Sequence, residues 1–310
     1  MKALVTGGAG FIGSHICEQL LKEDYEVVCL DNFDSYYDPV IKRRNIAPFL
    51  LDTNFTLIEG DIRDPVSLKI VLEGVDYVFH EAAQAGVRIS VMDPIKTHVV
   101  NTTGTLNLLC AARDSGVNKI INASSSSVYG KVEYLPFDEK HPKQPISPYG
   151  VSKLMAEEYC RVFQELYGMN IVSLRYFTVY GPRMRPDLAI NIFMKQAFLN
   201  KPLQIFGDGT KTRDITFIDD VVKANILAMT RGNGSYNIGG GHMISILELA
   251  ERIIEITGSS SQIEYEGDVP GDAEHTSANT AKAHGELGWT PGTILEEGLR
   301  RYAEWLLNYK

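Results

Sequence analysis

The sequence predicts an α/β protein built on a doubly wound parallel sheet, with a smaller mixed α/β domain following it. Three observations predict this class. Short apolar runs alternate with segments of helical periodicity as far as residue 177, the β-α-β-α order of a parallel sheet covered on both faces. Glycines at 7, 10 and 13 join the first apolar run to the first helical segment. After Thr178 the texture changes: segments shorten, and turns recur at Gly207-Asp208-Gly209, Gly232-Asn233-Gly234, Gly239-Gly240-Gly241 and Pro270-Gly271-Asp272.

The first strand, Ala3 to Thr6, runs into Gly7-Gly8-Ala9-Gly10-Phe11-Ile12-Gly13, and a helix pattern continues through Ile16, Leu20 and Leu21. Glycines here allow a tight turn, close approach of backbone to a pyrophosphate, and close helix packing. The free N–H groups and positive dipole end of the helix then face the phosphates. This is the Rossmann arrangement, with Gly7, Gly10, Phe11, Ile12 and Gly13 as candidate cofactor contacts. A second strand, Val27 to Leu30, ends in Asp31 and Asn32. An acid there accepts from the ribose hydroxyls of adenosine and repels a 2′-phosphate, which favours NAD over NADP.

Phe55 to Asp64 carries a third strand, with Asp61 and Ile62 near an adenine edge; a short helix and a fourth strand, Asp76 to His80, follow. His80-Glu81 opens like a zinc-protease motif, but Gln84 stands where the second histidine is required, so no metal is expected and His80 reads as a strand-end residue. Ala82 and Ala83 begin a small-residue loop at a strand end, where such loops line the ligand crevice. A long helix through Asn101, Gly104 and Leu108 precedes the fifth strand, Lys119–Ala123, which enters Ser124-Ser125-Ser126-Ser127. A helix from Pro148 and a sixth strand, Ile171–Phe177, complete the first part; Tyr176 lies at that strand's end. Further helix patterns fall near 189–200, 218–230, 245–257 and 294–309. The expected division is a dinucleotide-binding domain over 1–176, to which part of 212–240 returns, and a mainly substrate-binding domain over 177–310.

The helix after Pro148 carries Tyr149 and Lys153, four apart and so on one face. Bringing a tyrosine from a pKa of about 10 to about 7 takes roughly 4 kcal/mol. One cation about 5 Å away, at an effective dielectric near 20, supplies about 3 kcal/mol. Lys153 together with the positive charge of an oxidised nicotinamide therefore suits Tyr149 as a general base.

Composition bounds the rest. A net charge of −9 argues against general nucleic-acid binding. The four cysteines form no CxxC pair and no zinc spacing, as expected of reduced thiols in a cytoplasmic protein. Neither a signal peptide nor an apolar run of spanning length is expected.

These residues, in this order, resemble an extended short-chain dehydrogenase/reductase of the nucleotide-sugar epimerase family. The glycines, Asp31, Asp61-Ile62, the serine run, Tyr149-x-x-x-Lys153 and Arg213-Asp214 carry the resemblance over essentially the whole chain. It implies a retained NAD, Tyr149 exchanging the proton of the sugar 4-hydroxyl, and Lys153 holding the nicotinamide ribose. It also implies a serine in the proton relay: Ser125 by ungapped match to Val128-Tyr129-Gly130, with Ser126 as the second candidate. Asn101 matches a structural asparagine beside the site. Sister dehydratases and decarboxylases carry a Glu just before Val-Tyr-Gly; Ser126 and Ser127 stand here, favouring simple epimerisation.

The stretch Tyr176 to Asp187, with Ala85-Gly86-Val87-Arg88 and Asp31 to Asp38, resembles the UDP-glucuronate 4-epimerases. A C6 carboxylate wants hydrogen-bond donors and positive charge, which Thr178, Arg185 and Arg88 could supply. The resemblance places the UDP moiety on Asn191, Gln204, Phe206, Arg213 and Asp272. Where many relatives carry an arginine near Asp272, this chain has Val269, Pro270 and Ala273-Glu274-His275, and Asn279 replaces a common Asp. A homodimer through the helices around 101–113 and 149–167 is also implied. The alternatives are a UDP-glucose/UDP-galactose or N-acetylhexosamine 4-epimerase, a dehydrogenase that releases its cofactor, and a non-catalytic NAD-binding sensor.

Overall fold

The computed structural model describes residues 1–267 and 273–308. Its sheet is assembled from the apolar runs in sequence order. These are β1 (Lys2–Thr6), β2 (Glu26–Asp31), β3 (Phe55–Glu59), β4 (Tyr77–His80), β5 (Lys119–Ser125) and β6 (Ile171–Tyr176). Between them lie α1 (Phe11–Lys22), α2 (Pro39–Ile46), α3 (Pro65–Val71), α4 (Val87–Met92), α5 (Pro94–His98), α6 (Gly104–Ser115) and α7 (Pro148–Tyr167). The strand order is β10-β6-β5-β4-β1-β2-β3 and every pairing is parallel, the seventh strand being β10 (Gly234–Ile238) beside β6. Helices cover both faces, so β5 and β6 are buried along their whole length. The chain moves outward from β1 to β3 and then returns to the other side of β1 at β4. That reversal opens the crevice at the strand C-termini where such sheets bind ligands.

The long helix expected through Asn101 is present: helical backbone runs without a break from Pro94 to Ser115, with a π-helical turn inside it. Pro94 has no N–H to continue α4, and the Asp93 side chain caps α5 by accepting from the Lys96 amide at 2.9 Å. The π-helical turn, over Val99–Thr103, carries Asn101, and α6 continues from Gly104. The sequence reading passed over α2, although Asp38-Pro39 is a cap-and-first-turn signal; the Asp38 side chain accepts from Val40 N at 2.9 Å.

Beyond β6 come β7 (Thr178–Tyr180), α8 (Ala189–Phe198), β8 (Leu203–Phe206), β9 (Thr212–Phe217) and α9 (Ile218–Thr230), then after β10 come β11 (Met243–Ser245), α10 (Ile246–Thr257), β12 (Ile263–Glu266) and α11 (Leu295–Asn308). Strands β11, β9 and β7 form a mixed three-stranded sheet, and β12 pairs with β8. Two buried carboxylates tie these loops together. Asp214 accepts from Gly241 N and Ala278 N, and Asp220 accepts from Gly292 N and Thr293 N. An anion so supplied with backbone donors holds its loops without a counter-ion.

Candidate active site

The strand C-termini and the second set of elements enclose a cavity of about 940 Å³. Gly7, Gly10, Phe11, Ile12, Gly13, Asp31, Asn32, Asp61, Ile62, Ala82 and Ala83 line one end of it. Ser125, Ser126, Tyr149, Lys153 and Tyr176 line the middle; Arg88, Thr178, Arg185, Gln204, Phe206 and Arg213 line the other side. Two anticipated residues stand behind the wall. Asn101 is buried in the network described below, and buried Asn191 donates to the Met184 carbonyl at 3.2 Å. Asp272 lies outside the described residues.

The glycine turn has the shape a dinucleotide requires. Gly7 has φ +66°, and a Cβ there would meet Ala82 N at 2.8 Å; a Cβ on Gly13 would lie 2.3 Å from the Gly7 carbonyl. The turn is thus open to a ligand and closed to side chains. Asp31 is held ready beside it. Its Oδ2 accepts from Ala9 N at 3.2 Å, and its Oδ1 accepts from Phe33 N at 2.8 Å and from Lys42 Nζ at 3.1 Å. Asp31 retains acceptor capacity on Oδ2 for a ribose hydroxyl. Lys42, on α2, is a wall residue the sequence reading did not find. Asp61 is held at about 2: burial alone would raise it, but the Arg63 and Asn32 side chains hydrogen-bond to its carboxylate.

Helix α7 is fixed at the site by its sequence. Ser147 caps it by accepting from Gly150 N at 3.1 Å, and Pro148 occupies the first turn. Tyr149 and Lys153 then follow one turn apart on one helix. Buried Lys153 donates from Nζ to the Ala123 carbonyl of β5 at 2.8 Å. Ser125 ends β5 and accepts from Ser127 N at 3.1 Å. Ser124 is turned away from this group toward Glu157, which forms a bidentate buried ion pair with Arg175.

A neutral hydrogen-bond chain joins the glycine turn to α7. Thr105 donates its hydroxyl to the Asn101 carbonyl at 2.5 Å, so it can only accept from His80 Nε2 at 2.9 Å. The other ring nitrogen, Nδ1, therefore accepts from Thr6 at 2.8 Å, and Thr6 accepts in turn from Ala82 N at 3.3 Å. The Asn101 side chain closes on Gln84 N and O at 2.7 and 3.0 Å and donates to Ser152 at 2.9 Å; Ser152 donates to the Tyr149 carbonyl at 2.8 Å. His80 is thus a strand-end structural histidine. Among the described residues no cluster of metal-ligating side chains is present.

On the far wall, Arg185 donates from Nε to Asp187 Oδ1 at 3.1 Å and from Nη2 to Oδ2 at 3.3 Å, and Tyr36 donates to the same carboxylate at 2.7 Å. The Arg88 guanidinium lies 4.5 Å from the centroid of Phe206, across the cavity mouth between α4 and β8.

A doubly wound sheet with an open glycine turn, an acid at the end of β2 and a Tyr-x-x-x-Lys helix over β5 defines an extended short-chain dehydrogenase/reductase. Within it, the chain belongs to the family described as GDP-mannose 4,6 dehydratase, whose model matches residues 4–302. It is 40% identical over 307 residues to a UDP-glucuronate 4-epimerase of Thermodesulfobacterium geofontis, covering 97% of this chain and 95% of that one. The crystal structure of a UDP-glucuronic acid 4-epimerase from Bacillus cereus, in complex with UDP-glucuronic acid and NAD, superposes with a TM-score of 0.95 at 39% identity and covers 100% of both chains. A UDP-glucose 4-epimerase from Thermotoga maritima, with UDP-glucose, gives 0.93 at 37% identity and covers 99% of each.

Proposed function

We propose that the protein is an NAD-dependent UDP-sugar 4-epimerase whose substrate pair is UDP-glucuronate and UDP-galacturonate. The observation that carries this reading is the placement of Thr178 and Arg185 in one cavity with Tyr149, Lys153 and the open glycine turn. NAD, held by the glycine turn, Asp31 and Lys153, supplies a hydride acceptor and donor for the sugar C4. The chain's own residues handle the proton. Tyr149 takes it from the 4-hydroxyl and, once the 4-keto sugar has turned its opposite face to the nicotinamide, gives it back to the C4 oxygen, with Ser125 or Ser126 as relay. Lys153, anchored on Ala123, holds positive charge beside the phenolate. No carboxyl group precedes Val128-Tyr129-Gly130, so the extra acid or base of a dehydration is not supplied there.

Thr178 and the Nη1 edge of Arg185, which makes no hydrogen bond among the described residues, offer donors to the C6 carboxylate. A second reading, a neutral hexose, gains from Asp187: it lines the same wall and already neutralises Arg185 in part. Product analysis by NMR separates them, using protein with no added cofactor and either UDP-glucuronate or UDP-glucose. Arg185→Ala is expected to lower kcat/KM on the uronate roughly ten- to a hundredfold and leave any neutral-hexose turnover within a few-fold. Equal losses on both would remove the carboxylate role. A homodimer through the helices around 101–113 and 149–167 completes the reading; Val151 and Leu166 on α7 are exposed and free to take part in it.

A further inference from the structure

Glu81 has no part in the proton handling above, yet it lines the same cavity. It follows β4 directly, where its amide donates to the Thr6 carbonyl at 3.1 Å. Its side chain is held by a chain of hydrogen bonds. Asn225, on α9, donates from Nδ2 to the Val221 carbonyl at 2.9 Å and to the Tyr176 hydroxyl at 2.8 Å. The Tyr176 hydroxyl has two acceptors within reach, Asn225 Oδ1 at 3.1 Å and Glu81 Oε1 at 2.8 Å, and the shorter contact is to Glu81. Both partners are buried, and the carboxylate they hold belongs to a residue that borders the cavity.

The groups facing Glu81 are few. Tyr176 comes from β6, and α7 brings the charge of Lys153; α9 brings only neutral Asn225. His80, the preceding residue, turns to Thr6 and Thr105. Burial raises the Glu81 carboxyl to about 7, against the Tyr176 hydrogen bond and the Lys153 charge, both of which lower it. A further cation in the cavity would favour the carboxylate.

The strand order says which cation that is. Asp31 ends β2, and the glycine turn follows β1, so an adenosine half lies on the β2 side of β1. The other half of the dinucleotide then extends over β4, β5 and β6, where Glu81, Lys153 and Tyr176 stand. We propose that Glu81 is a positioning residue whose carboxylate, fixed by Tyr176 and Asn225, favours the oxidised, cationic nicotinamide over the reduced, neutral one. The inference rests on the NAD-dependent reading above. Its use to an epimerase is that the resting protein holds the form able to accept hydride, and the reduced form is driven to return it. Glu81 would keep its charge while a cation faces it and would take up a proton from solvent once that charge is gone.

The test is a potentiometric titration of the holoenzyme with mediator dyes, reading the NADH/NAD⁺ ratio by the absorbance of the dihydronicotinamide. At a fixed potential, Glu81→Gln is expected to raise that ratio roughly tenfold, and Tyr176→Phe to raise it by a smaller factor. In the wild type the ratio rises more steeply from about pH 8 to about pH 6 than in Glu81→Gln, because protonation of Glu81 removes the bias. If Glu81→Gln does not fold, the wild-type pH dependence and Tyr176→Phe decide. Ratios within about twofold, with one shared pH dependence in folded, NAD-loaded proteins, would overturn this inference alone. A wild-type protein that binds no dinucleotide would overturn it together with the function proposed above.

Discussion

His80 shows how much one residue type depends on its neighbours. The imidazole is fully enclosed between two threonine hydroxyls, and burial, with Lys153 adding to it, pulls its pKa from 6.5 to about 3. A folded-state value below the unfolded one means that its contribution to stability is complete above about pH 6.5 and is lost as pH falls toward 3. His15, pulled to about 4 by burial and by Arg183, adds an effect of the same sign. The urea midpoint should therefore decline through this window. His80→Gln should flatten that decline relative to wild type while costing about 1–3 kcal/mol at neutral pH. Parallel slopes for the two proteins would show that His80 does not titrate in this way. The tautomer matters as well: protonating Nδ1 removes the acceptor that orients Thr6, and with it the contact to Ala82 at the glycine turn.

At the level of elements, α7 is held so close to the β5 loop that its third residue after the cap must be glycine. A Cβ on Gly150 would lie 2.4 Å from the Ser127 carbonyl and 2.9 Å from Pro145 Cβ. Gly150→Ala should force α7 outward by its N-terminus and carry Tyr149 with it. The expected result is a kcat lowered roughly tenfold or more, with a stability loss of about 1–3 kcal/mol; undiminished kcat would mean that the loop, rather than the helix, gives way. Tyr149 and Lys153 were legible in the sequence because both belong to one helix, and local periodicity fixes which face they share. Asp31 was legible because it ends a strand at a set distance after the glycines. Lys42 was not, since its helix has weak amphipathicity and only the fold returns it to Asp31. Glu81 was seen and set aside as a failed metal motif. What gives it meaning is Tyr176 and Asn225, far along the chain, and no spacing rule connects them. The helix expected through Asn101 was legible from its apolar spacing; the π-helical turn inside it was not, because no residue type marks it.

For the molecule as a whole, the parallel sheet was predicted as found, since strands buried on both faces leave plain apolar runs. The pairing of β12 with β8, and of β11 with β9, was beyond reach: β8, β11 and β12 are only three to four residues long, too short for a pattern to fix their partners. The dimer expected through α7 makes a prediction on this scale. Val151→Glu combined with Leu166→Glu should shift the protein to monomer in size-exclusion chromatography with light scattering, because each adds a carboxylate beside Glu158 and Glu165, whose charge a seam on this face would have to desolvate. A dimer that survives both changes would put the interface on another face.

The seventh strand also has a consequence for how the protein is made. β6 pairs on one side with β5 and on the other with β10, which is reached roughly 60 residues later. At about 5–20 residues per second, the ribosome needs on the order of 3–12 s to supply it. During that interval β6 presents an apolar, unpaired edge to solvent, the arrangement that recruits strands from other nascent chains. Slow codons between residues 177 and 234 should therefore lower the soluble yield without changing a single contact in the finished protein.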